Sequence, residues 1–430
     1  MKMNLKKQPK SFVLKNGTII DPHAKKSFSG HIWIKNGKIE GILQSNPPED
    51  IPSIDCSGKI ITHVFFDMHV HFREPGREDK ETLETGCNAA MAGGFTRVCV
   101  MPNTDPPLDS PESIRFIVEK SKDLPVHVHP IGAITKGQIG KDLTEMGGMV
   151  RAGAVAFSDD GLPVSNGQVF RLACEYAKMF GVPVINHAED PCIRKNGVMH
   201  EGTVSTEIGL TGNPDVAESS MVNRDLELCT LTGTQLHVPH VSAEKSIRHI
   251  KKTLEFSKLI SAEVTPHHLY FNHKSLHLFD TSFKVAPPIR TEKDRKALIS
   301  AVKEGIITCV ATDHAPHTVE EKEADFNEAP FGMIGLESCF GVVHKVLKDE
   351  IDIIEIICLL TVNPRDIMGF ESNLFQKGNP AEITVIDPEI KWTFDLDDIY
   401  SKSRNSPFIG ETLLGKPIAS VGKGYISEIS

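Results

Sequence analysis

Two histidines separated by one residue stand directly after an apolar run, a spacing that suits metal binding. His69 and His71 follow residues 64–66, which are valine and two phenylalanines, and Asp67 precedes them. On a β-strand alternate side chains share a face, so both imidazoles point the same way and can hold one ion. Taken alone the tripeptide is a weak signal, because a single histidine is more often a hydrogen-bonded core residue.

Three further metal-competent residues occupy equivalent places later in the chain. Each stands at the C-terminal end of a short, mostly apolar segment, which is where a (β/α)₈ barrel carries its chemistry. The shared position favours a metal centre over a set of unrelated core histidines. The three are His187 after residues 182–186, His240 after residues 236–239, and Asp313 after residues 306–312.

Eight apolar segments of strand length alternate with stretches of helical periodicity, which favours βα units and a parallel sheet. The intervening stretches, such as residues 80–93, 111–122 and 169–180, contain good helix formers. Eight such units close a barrel. The predicted strands lie around residues 61–71, 95–103, 126–134, 153–159, 182–187, 235–241, 259–265 and 306–312.

The two ends of the chain predict a second, smaller unit. Residues 11–60 are punctuated by Asn16-Gly17 and Asn36-Gly37, which are hairpin turn signals, and residues 381–387 and 418–429 alternate like half-buried strands. We therefore predict an α/β protein, a (β/α)₈ TIM-type barrel beside a small β-sandwich domain built from both chain termini. The predicted domains are residues 1–60 and 371–430, the two parts of the small β-domain, and residues 61–370, the metal-dependent barrel.

The composition is that of a folded enzyme. The 430 residues are 40% hydrophobic and 24% charged, enough for a large core. A net charge of −10 and a pI near 6.0 argue against nucleic-acid binding, and the cluster of Lys2, Lys6, Lys7 and Lys10 is interpreted as a solvated, frayed terminus. No h-region follows the first methionine and no apolar stretch approaches the ~18 residues of a membrane span, so we expect a cytoplasmic protein without membrane contact. The nine scattered cysteines are expected to be reduced and mostly buried.

The fourth predicted strand ends in two aspartates, Asp159 and Asp160, one of which can complete a site for two divalent ions. A carboxylate between two histidine clusters can bridge both ions, and the pKa of a bridged water falls towards ~7. Asp313 would take the proton of the resulting hydroxide and return it to a leaving nitrogen, because hydrolysis of an amide requires a protonated amine to depart. Neighbouring strand residues face opposite ways, so only one aspartate can point into the barrel mouth.

Other histidines fit the centre less well. His127 and His129 also form a His-x-His pair, but no acidic residue follows closely, and we interpret them as structural. His267 and His268 are adjacent and point to opposite faces, so at most one can approach the site. His317 lies one short loop beyond Asp313 and is a better substrate contact than a metal ligand.

Six segments carry recognisable motifs: Asp67–Gly76 (DMHVHFREPG), Met101–Thr104 (MPNT), Ser158–Gly161 (SDDG), Asp313–His317 (DHAPH), Ala329–Gly332 (APFG) and Ser401–Phe408 (SKSRNSPF). Together they resemble the amidohydrolase superfamily and, within it, the class I dihydroorotases, with similarity running essentially from end to end. The resemblance implies reversible cyclisation of N-carbamoyl-L-aspartate to dihydroorotate, the third step of pyrimidine synthesis, with one or two Zn²⁺ per chain, two favoured.

The resemblance also implies a role for each matching residue. His69 and His71 would bind one zinc ion and His187 and His240 a second, Asp160 would bridge them, and Asp313 would be both ligand and general base. The substrate carboxylate, which hydantoins and allantoin lack, would be bound by Arg73, a planar fork that suits carboxylates, with Asn103 and His317. Phe331 and Gly332 match the loop whose backbone contacts the pyrimidine ring.

Two departures from the family pattern keep alternatives open. His63-Val64 replaces a common Pro-Gly, and Ala286 stands in the substrate-binding position where relatives carry asparagine, a feature shared with allantoinases. Hydantoinase-type relatives bridge their metals with a strand-four lysine, and residues 157–160 contain none. A further alternative is a non-catalytic scaffold for aspartate transcarbamoylase, which is also the candidate protein partner of an active enzyme. A homo-oligomer is expected.

Overall fold

The computed structural model describes residues 3–48 and 50–429. Residues 1, 2, 49 and 430, which include Lys2 and the outer ends of both predicted terminal segments, lie outside the described residues. The strands are β1 (Met3–Lys7), β2 (Ser11–Asp21), β3 (Lys26–Lys35), β4 (Lys38–Leu43), β5 (Ser53–Asp55), β6 (Ile60–His63), β7 (Phe65–Val70), β8 (Phe95–Val100), β9 (His127–Pro130), β10 (Val184–Ile185), β11 (Met199–His200), β12 (Gly212–Asn213), β13 (Leu236–Val238), β14 (Ile260–Val264), β15 (Cys309–Val310), β16 (Ile383–Thr393), β17 (Thr412–Gly422) and β18 (Tyr425–Ile429).

Helices alternate with the central strands. Several begin at capping residues, since Ser110 and Thr291 each accept a hydrogen bond from the backbone N–H three residues on. The helices are α1 (Leu83–Ala92), α2 (Pro111–Ser121), α3 (Met146–Ala152), α4 (Gly167–Lys178), α5 (Pro191–Arg194), α6 (Thr203–Ile208), α7 (Asp215–Thr232), α8 (Glu244–Leu254), α9 (Pro266–Tyr270), α10 (Glu292–Lys303), α11 (Val319–Lys322), α12 (Cys339–Leu347), α13 (Ile353–Leu360) and α14 (Val362–Ile367).

The central strands form a closed parallel ring. Strands β7, β8 and β9 form one sheet, and β10, β13, β14 and β15 form another. Phe157 bridges Gly132 on one side and Val184 on the other, and a bridge from Val70 to His314 closes the ring. Seven strands and the Phe157 segment make eight members, which confirms the predicted barrel. Apolar side chains of the strands pack against the surrounding helices.

Both ends of the chain meet in a nine-stranded sheet beside the barrel, as predicted. Its order is β1, β18, β17, β16, β6, β2, β3 and β4, and β5 pairs with β2. The N-terminal strand β1 is antiparallel to β18, with Met3 opposite Ile429. Buried residues such as Leu14, Ile34 and Val421 form a separate apolar core for this unit.

Three local predictions differ from the structure. The predicted first barrel strand, residues 61–71, is two strands, because β6 pairs with β2 and β16 of the terminal sheet and only β7 enters the barrel. The fourth predicted strand, residues 153–159, is reduced to the bridges at Phe157. Lys6 and Lys7 belong to β1, so the described part of the lysine cluster is not frayed. β6 crosses the predicted domain boundary at residue 60, and the domain limits stay a prediction.

Two further features of the described residues concern the cysteines and the apolar character of the helices. All nine cysteines are free, and all except Cys192 are buried. Among residues 3–48 and 50–429, no helix combines the length and the apolar character that a membrane span requires.

Candidate active site

The metal-competent residues predicted from the sequence converge at one end of the barrel. His69 lies at the end of β7, and His71 just beyond it. Asp160 follows the Phe157 bridge, while His187, His240 and Asp313 follow β10, β13 and β15. Because the strands are parallel, their C-terminal ends share one rim, and residues far apart in the chain become neighbours.

Two groups of three donors share the carboxylate of Asp160. One group is His69, His71 and Asp160, the other is Asp160, His187 and His240, and the donor atoms of each lie within 4.8 Å of one another. Asp160 Oδ2 is 3.4 Å from His69 Nε2 and 3.5 Å from His71 Nε2. Its Oδ1 is 3.3 Å from His187 Nδ1 and 3.4 Å from His240 Nε2. Each carboxylate oxygen therefore faces one histidine pair.

Asp313 lies against the first group. Its Oδ1 is 3.0 Å from His71 Nε2 and 3.5 Å from His69 Nε2. Burial would raise the pKa of the Asp313 carboxyl, but His69 and His71 outweigh burial and hold it below its ordinary value. Asp313 is therefore a carboxylate at neutral pH, as a proton acceptor must be.

The neighbouring aspartate takes no part in this cluster. Asp159 Oδ1 accepts hydrogen bonds from the backbone N–H groups of Ile134 and Thr135, at 2.8 and 3.0 Å. Its other oxygen accepts from the Thr135 hydroxyl. Asp159 thus anchors the loop after β9, whereas Asp160 faces the histidines.

The charges of the cluster fit a divalent cation. Burial would lower the pKa of His69, but Asp160 and Asp313 raise it well above its ordinary value. Burial would raise the pKa of Asp160, but the histidines hold it well below its ordinary value. His69 Nε2 is buried and has no hydrogen-bond partner among the described residues. Two carboxylates and four imidazoles around an unsatisfied nitrogen are a donor set that suits a divalent ion such as zinc.

Three histidines are oriented by groups behind them. His71 Nδ1 is 2.7 Å from Asn103 Oδ1, and His187 Nε2 is 3.0 Å from Glu189 Oε2. His69 Nδ1 is 2.9 Å from Glu263 Oε1. The sequence reasoning missed both glutamates, although a glutamate within the apolar segment 259–265 is a signal that could have singled out Glu263.

A cavity of about 370 Å³ opens above the donors and contains every predicted substrate residue. Arg73 lines it, and its Nε donates to Pro316 O at 3.2 Å. Burial lowers the pKa of Arg73 to about 10, so the guanidinium stays charged at neutral pH. Burial and the Arg73 charge lower the pKa of His317 to about 2, so its imidazole is neutral. The predicted substrate residues lining the cavity are Arg73, Asn103, Ala286, His317, Phe331 and Gly332.

The loop bearing Phe331 is held close to His317. His317 Nε2 is 2.8 Å from Phe331 O, and Lys80 Nζ donates to His317 Nδ1 at 3.2 Å. Gly332 has φ 133°, and a β-carbon there would lie 2.7 Å from Ala315 Cβ. Only glycine fits this left-handed position.

The backbone is strained at two of the converging residues. His240 has φ 33° and Asp313 has φ 50°, values that residues with a β-carbon seldom adopt. Both occur where a strand ends and the chain must turn its side chain into the mouth of the barrel.

Two polar cavity residues were not anticipated. Gln138 donates through Nε2 to Asp160 O at 3.1 Å, and the Arg194 guanidinium stacks 4.6 Å from the Phe331 ring centre. Both lie on connections between barrel strands, where hydrophobic periodicity gives no indication of the path of the chain.

The other histidines lie outside both donor groups. His129 Nε2 accepts from Arg97 at 2.7 Å, and His63 packs edge-on against Phe375 in the terminal sheet. His268 is fixed by the Thr265 hydroxyl at 2.8 Å and by Pro287 O at 3.1 Å.

The fold and the donor clusters define a (β/α)₈ barrel with a candidate divalent-metal centre at its C-terminal rim. An L-hydantoinase from Arthrobacter aurescens is similar in structure, with a TM-score of 0.86 and 22% identity over 96% of this chain and 95% of that chain. A dihydropyrimidinase from Brevibacillus agri has a TM-score of 0.83 and 19% identity over 96% and 94%. At these identities the likeness concerns the fold.

Sequence comparison is more specific. The family model described as dihydro-orotase-like matches residues 58–246. A protein named dihydroorotase from Carboxydothermus hydrogenoformans is 41% identical over 96% of this chain and 97% of its own length. Another of that name, from Pelotomaculum thermopropionicum, is 42% identical over the same shares. The chain belongs to the dihydroorotase family.

Proposed function

We propose that this chain catalyses the reversible cyclisation of N-carbamoyl-L-aspartate to (S)-dihydroorotate and water in de novo pyrimidine synthesis. The observation that carries the proposal is identity of about 40% along 96% of the chain with proteins named dihydroorotase. The donor clusters and the cationic cavity support it, because cyclic amide hydrolysis requires an activated water and this substrate carries a carboxylate.

We further propose two Zn²⁺ ions as the cofactor. His69 and His71 would hold one ion and His187 and His240 the other, with Asp160 between them and Asp313 beside the first. When bound, such ions supply a nucleophile at neutral pH by lowering the pKa of water. The support from the chain is that Asp160 presents one oxygen to each histidine pair.

Asp313 would carry the proton in both directions. In hydrolysis the water oxygen adds to the ring carbonyl carbon, and the Asp313 carboxylate accepts the proton that water loses. The carbon–nitrogen bond then breaks, and Asp313 returns the proton to the departing nitrogen. Cyclisation uses the same steps in reverse, with the ureido nitrogen losing its proton to Asp313.

Arg73, Asn103 and His317 would bind the carboxylate that remains outside the ring. Arg73 offers paired N–H donors in a plane, which matches a carboxylate. His71 contacts Asn103 through Oδ1, which leaves the amide Nδ2 as a donor to the cavity. Phe331 and Gly332 would contact the ring, and Ala286 would line the wall without a polar contact.

One experiment distinguishes the proposed function from two alternatives. Ala286 keeps an allantoinase or a hydantoinase-type enzyme as the second candidate, and a scaffold for aspartate transcarbamoylase is the third. The purified protein should contain one to two equivalents of zinc and should hydrolyse dihydroorotate but not allantoin. Hydrolysis of allantoin alone would select the second candidate, and a folded, metal-free, inert protein would select the third.

The remaining proposals concern the setting of the enzyme. We propose a cytoplasmic homo-oligomer, with aspartate transcarbamoylase as a protein partner. Light scattering of the purified chain with and without the transcarbamoylase tests both associations, and a monomer that gains no mass on mixing would contradict them.

A further inference from the structure

A buried carboxylate lies directly beneath both donor groups. Glu263 is near the end of β14, in the barrel strand between β13 and β15, and its side chain is 1% exposed. Its Oε1 is 2.9 Å from His69 Nδ1 and accepts from the backbone N–H of His240 at 3.3 Å. One oxygen therefore contacts a member of each histidine pair.

The second oxygen of Glu263 is held from the opposite side. Its Oε2 is 3.0 Å from His237 Nε2, and His237 Nδ1 is 2.8 Å from the Ser261 hydroxyl. Ser261 and Glu263 are alternate residues of β14, so they share a face, and His237 lies opposite Ser261 on β13. The hydrogen bonds from Ser261 through His237 to Glu263 therefore hold the Glu263 carboxylate in place.

This arrangement determines which nitrogen of His69 is free. A carboxylate only accepts hydrogen bonds, so His69 Nδ1 must carry a proton. In a neutral imidazole the lone pair is then on Nε2, which is the buried atom without a hydrogen-bond partner among the described residues. Nε2 lies between Asp160 and Asp313, at 3.4 and 3.5 Å from their oxygens.

His237, Glu263 and Cys309 also lie close enough together to form a third metal site. The contacts favour a hydrogen-bonded cluster over a third metal site. Both Glu263 oxygens already accept hydrogen bonds, and Cys309 Sγ is 3.8 Å from Ala262 O. All three side chains are buried at 0–1% exposure.

We infer that Glu263 is a positioning residue that sets the tautomer of His69 and the place of His240, and so couples the two metal positions. The inference rests on the proposed function, because it concerns the ions proposed there. Loss of such an outer carboxylate typically weakens metal binding or activity 10- to 100-fold.

The test measures zinc affinity, which does not depend on turnover. Glu263→Gln keeps the volume of the side chain but replaces one acceptor oxygen by a donor. Competition with a chromophoric chelator should show at least one Zn²⁺ equivalent bound about 10- to 100-fold more weakly, while saturating zinc restores the full stoichiometry. At saturating zinc the KM for dihydroorotate should be unchanged, because Arg73 is untouched.

Matched variants separate positioning from general damage. Glu337 is also buried and accepts the backbone N–H groups of Tyr400 and Ser401, at 3.0 and 2.9 Å. Glu337→Gln should lower stability but leave zinc affinity unchanged. Ser261→Ala removes only the hydroxyl that contacts His237, the contact most distant from His69. It should also weaken zinc binding, but less than Glu263→Gln does. It also keeps the inference testable if Glu263→Gln does not fold.

The outcomes are distinguishable. Wild-type zinc affinity in folded Glu263→Gln, or in Ser261→Ala if Glu263→Gln does not fold, would overturn the inference while leaving the proposed function intact. If the wild type does not act on dihydroorotate but Glu263→Gln still binds zinc more weakly than the wild type, the inference is supported and the proposed function is overturned. Loss of one zinc equivalent in Cys309→Ala would show a third metal site and overturn the inference, and a wild type that binds no zinc would overturn both.

Discussion

The chain contains two His-x-His pairs on barrel strands, and the charged groups around them differ. The first pair, His69 and His71, stands at the C-terminal end of β7 beside the carboxylates of Asp160 and Asp313. The second pair, His127 and His129, stands at the start of β9 and so at the N-terminal end of a barrel strand. There His129 accepts from Arg97 at 2.7 Å, and His127 is 3.3 Å from Glu382.

The motif is the same in both pairs, and the difference lies in the neighbouring charges. Burial lowers the pKa of His129 to about 2, and the Arg97 guanidinium adds to this effect. For His69 two carboxylates overcome burial and raise the pKa well above its ordinary value. A site that attracts a proton in this way also attracts a metal ion, whereas an adjacent guanidinium repels one.

The strongest test of the comparison removes the carboxylate that both donor groups share. Asp160→Ala should lose both zinc ions, and its turnover should fall further than that of any variant of Asp313 or Arg73. Its neighbour is the control, because Asp159→Ala should keep its zinc while losing stability, about 1–3 kcal/mol for each buried N–H left without an acceptor. Metal analysis with a dihydroorotate assay would contradict the assignment if Asp159→Ala were the variant that lost metal.

The second variant keeps the first pair intact and removes Asp313, the proposed proton acceptor beside it. Asp313→Asn should lower turnover by roughly 10²- to 10⁴-fold, the range for loss of a general acid or base. Much of the zinc should remain, because both histidine pairs and Asp160 are unchanged. Steady-state kinetics on zinc-loaded protein is the measurement, and near wild-type turnover would remove Asp313 from this role.

The third variant tests whether the Arg73 guanidinium, a cation beside the donor groups, binds the substrate carboxylate. Arg73→Ala should lower kcat/KM for dihydroorotate about tenfold to several-hundredfold, since a hydrogen bond to a charged group contributes roughly 1.5–3 kcal/mol. Arg73→Lys should recover part of this, because an ammonium lacks the paired geometry. Hydrolysis of an uncharged ring such as dihydrouracil should change far less, and equal losses on both rings would mean that Arg73 supports the fold.

The smallest effect on activity is expected at the second pair. His129→Gln should leave zinc content and turnover near wild type. The native His129 stays neutral well below the pKa of about 6.5 in the unfolded chain, so it makes the wild type lose stability as the pH falls below that value. Urea unfolding at pH 7 and pH 5 should therefore show a smaller loss in His129→Gln, and an equal loss would contradict the neutral state of His129.

The sequence predicts the barrel and the convergence of its donors because strand order alone brings C-terminal ends together. It does not reveal that residues 61–71 form two strands. Residues 60–70 are buried on both faces, so no change of periodicity marks the step from the terminal sheet to the barrel at Val64. The fourth strand is similar, since a buried apolar segment does not reveal that only Phe157 pairs.

The residues that hydrogen-bond to the candidate metal-binding histidines are the hardest to predict from the sequence. Glu263 and His69 are 194 residues apart, and only the closed ring brings them within 2.9 Å. Glu189 is two residues from His187, yet a hydrogen bond between side chains two positions apart produces no recognisable sequence pattern. The positions of Gln138 and Arg194 depend on the path of the connections between barrel strands, which apolar periodicity does not describe.

The left-handed backbone at His240 and Asp313 implies a limit on how far this enzyme can be made more heat-resistant. Each such residue carries a conformational cost of order 1–3 kcal/mol that glycine would not. A laboratory selection for survival at high temperature alone would therefore favour glycine at both positions and discard a histidine and an aspartate of the site. Improved variants of this fold should be sought in the terminal sheet and the outer helices, with catalysis kept as part of the selection.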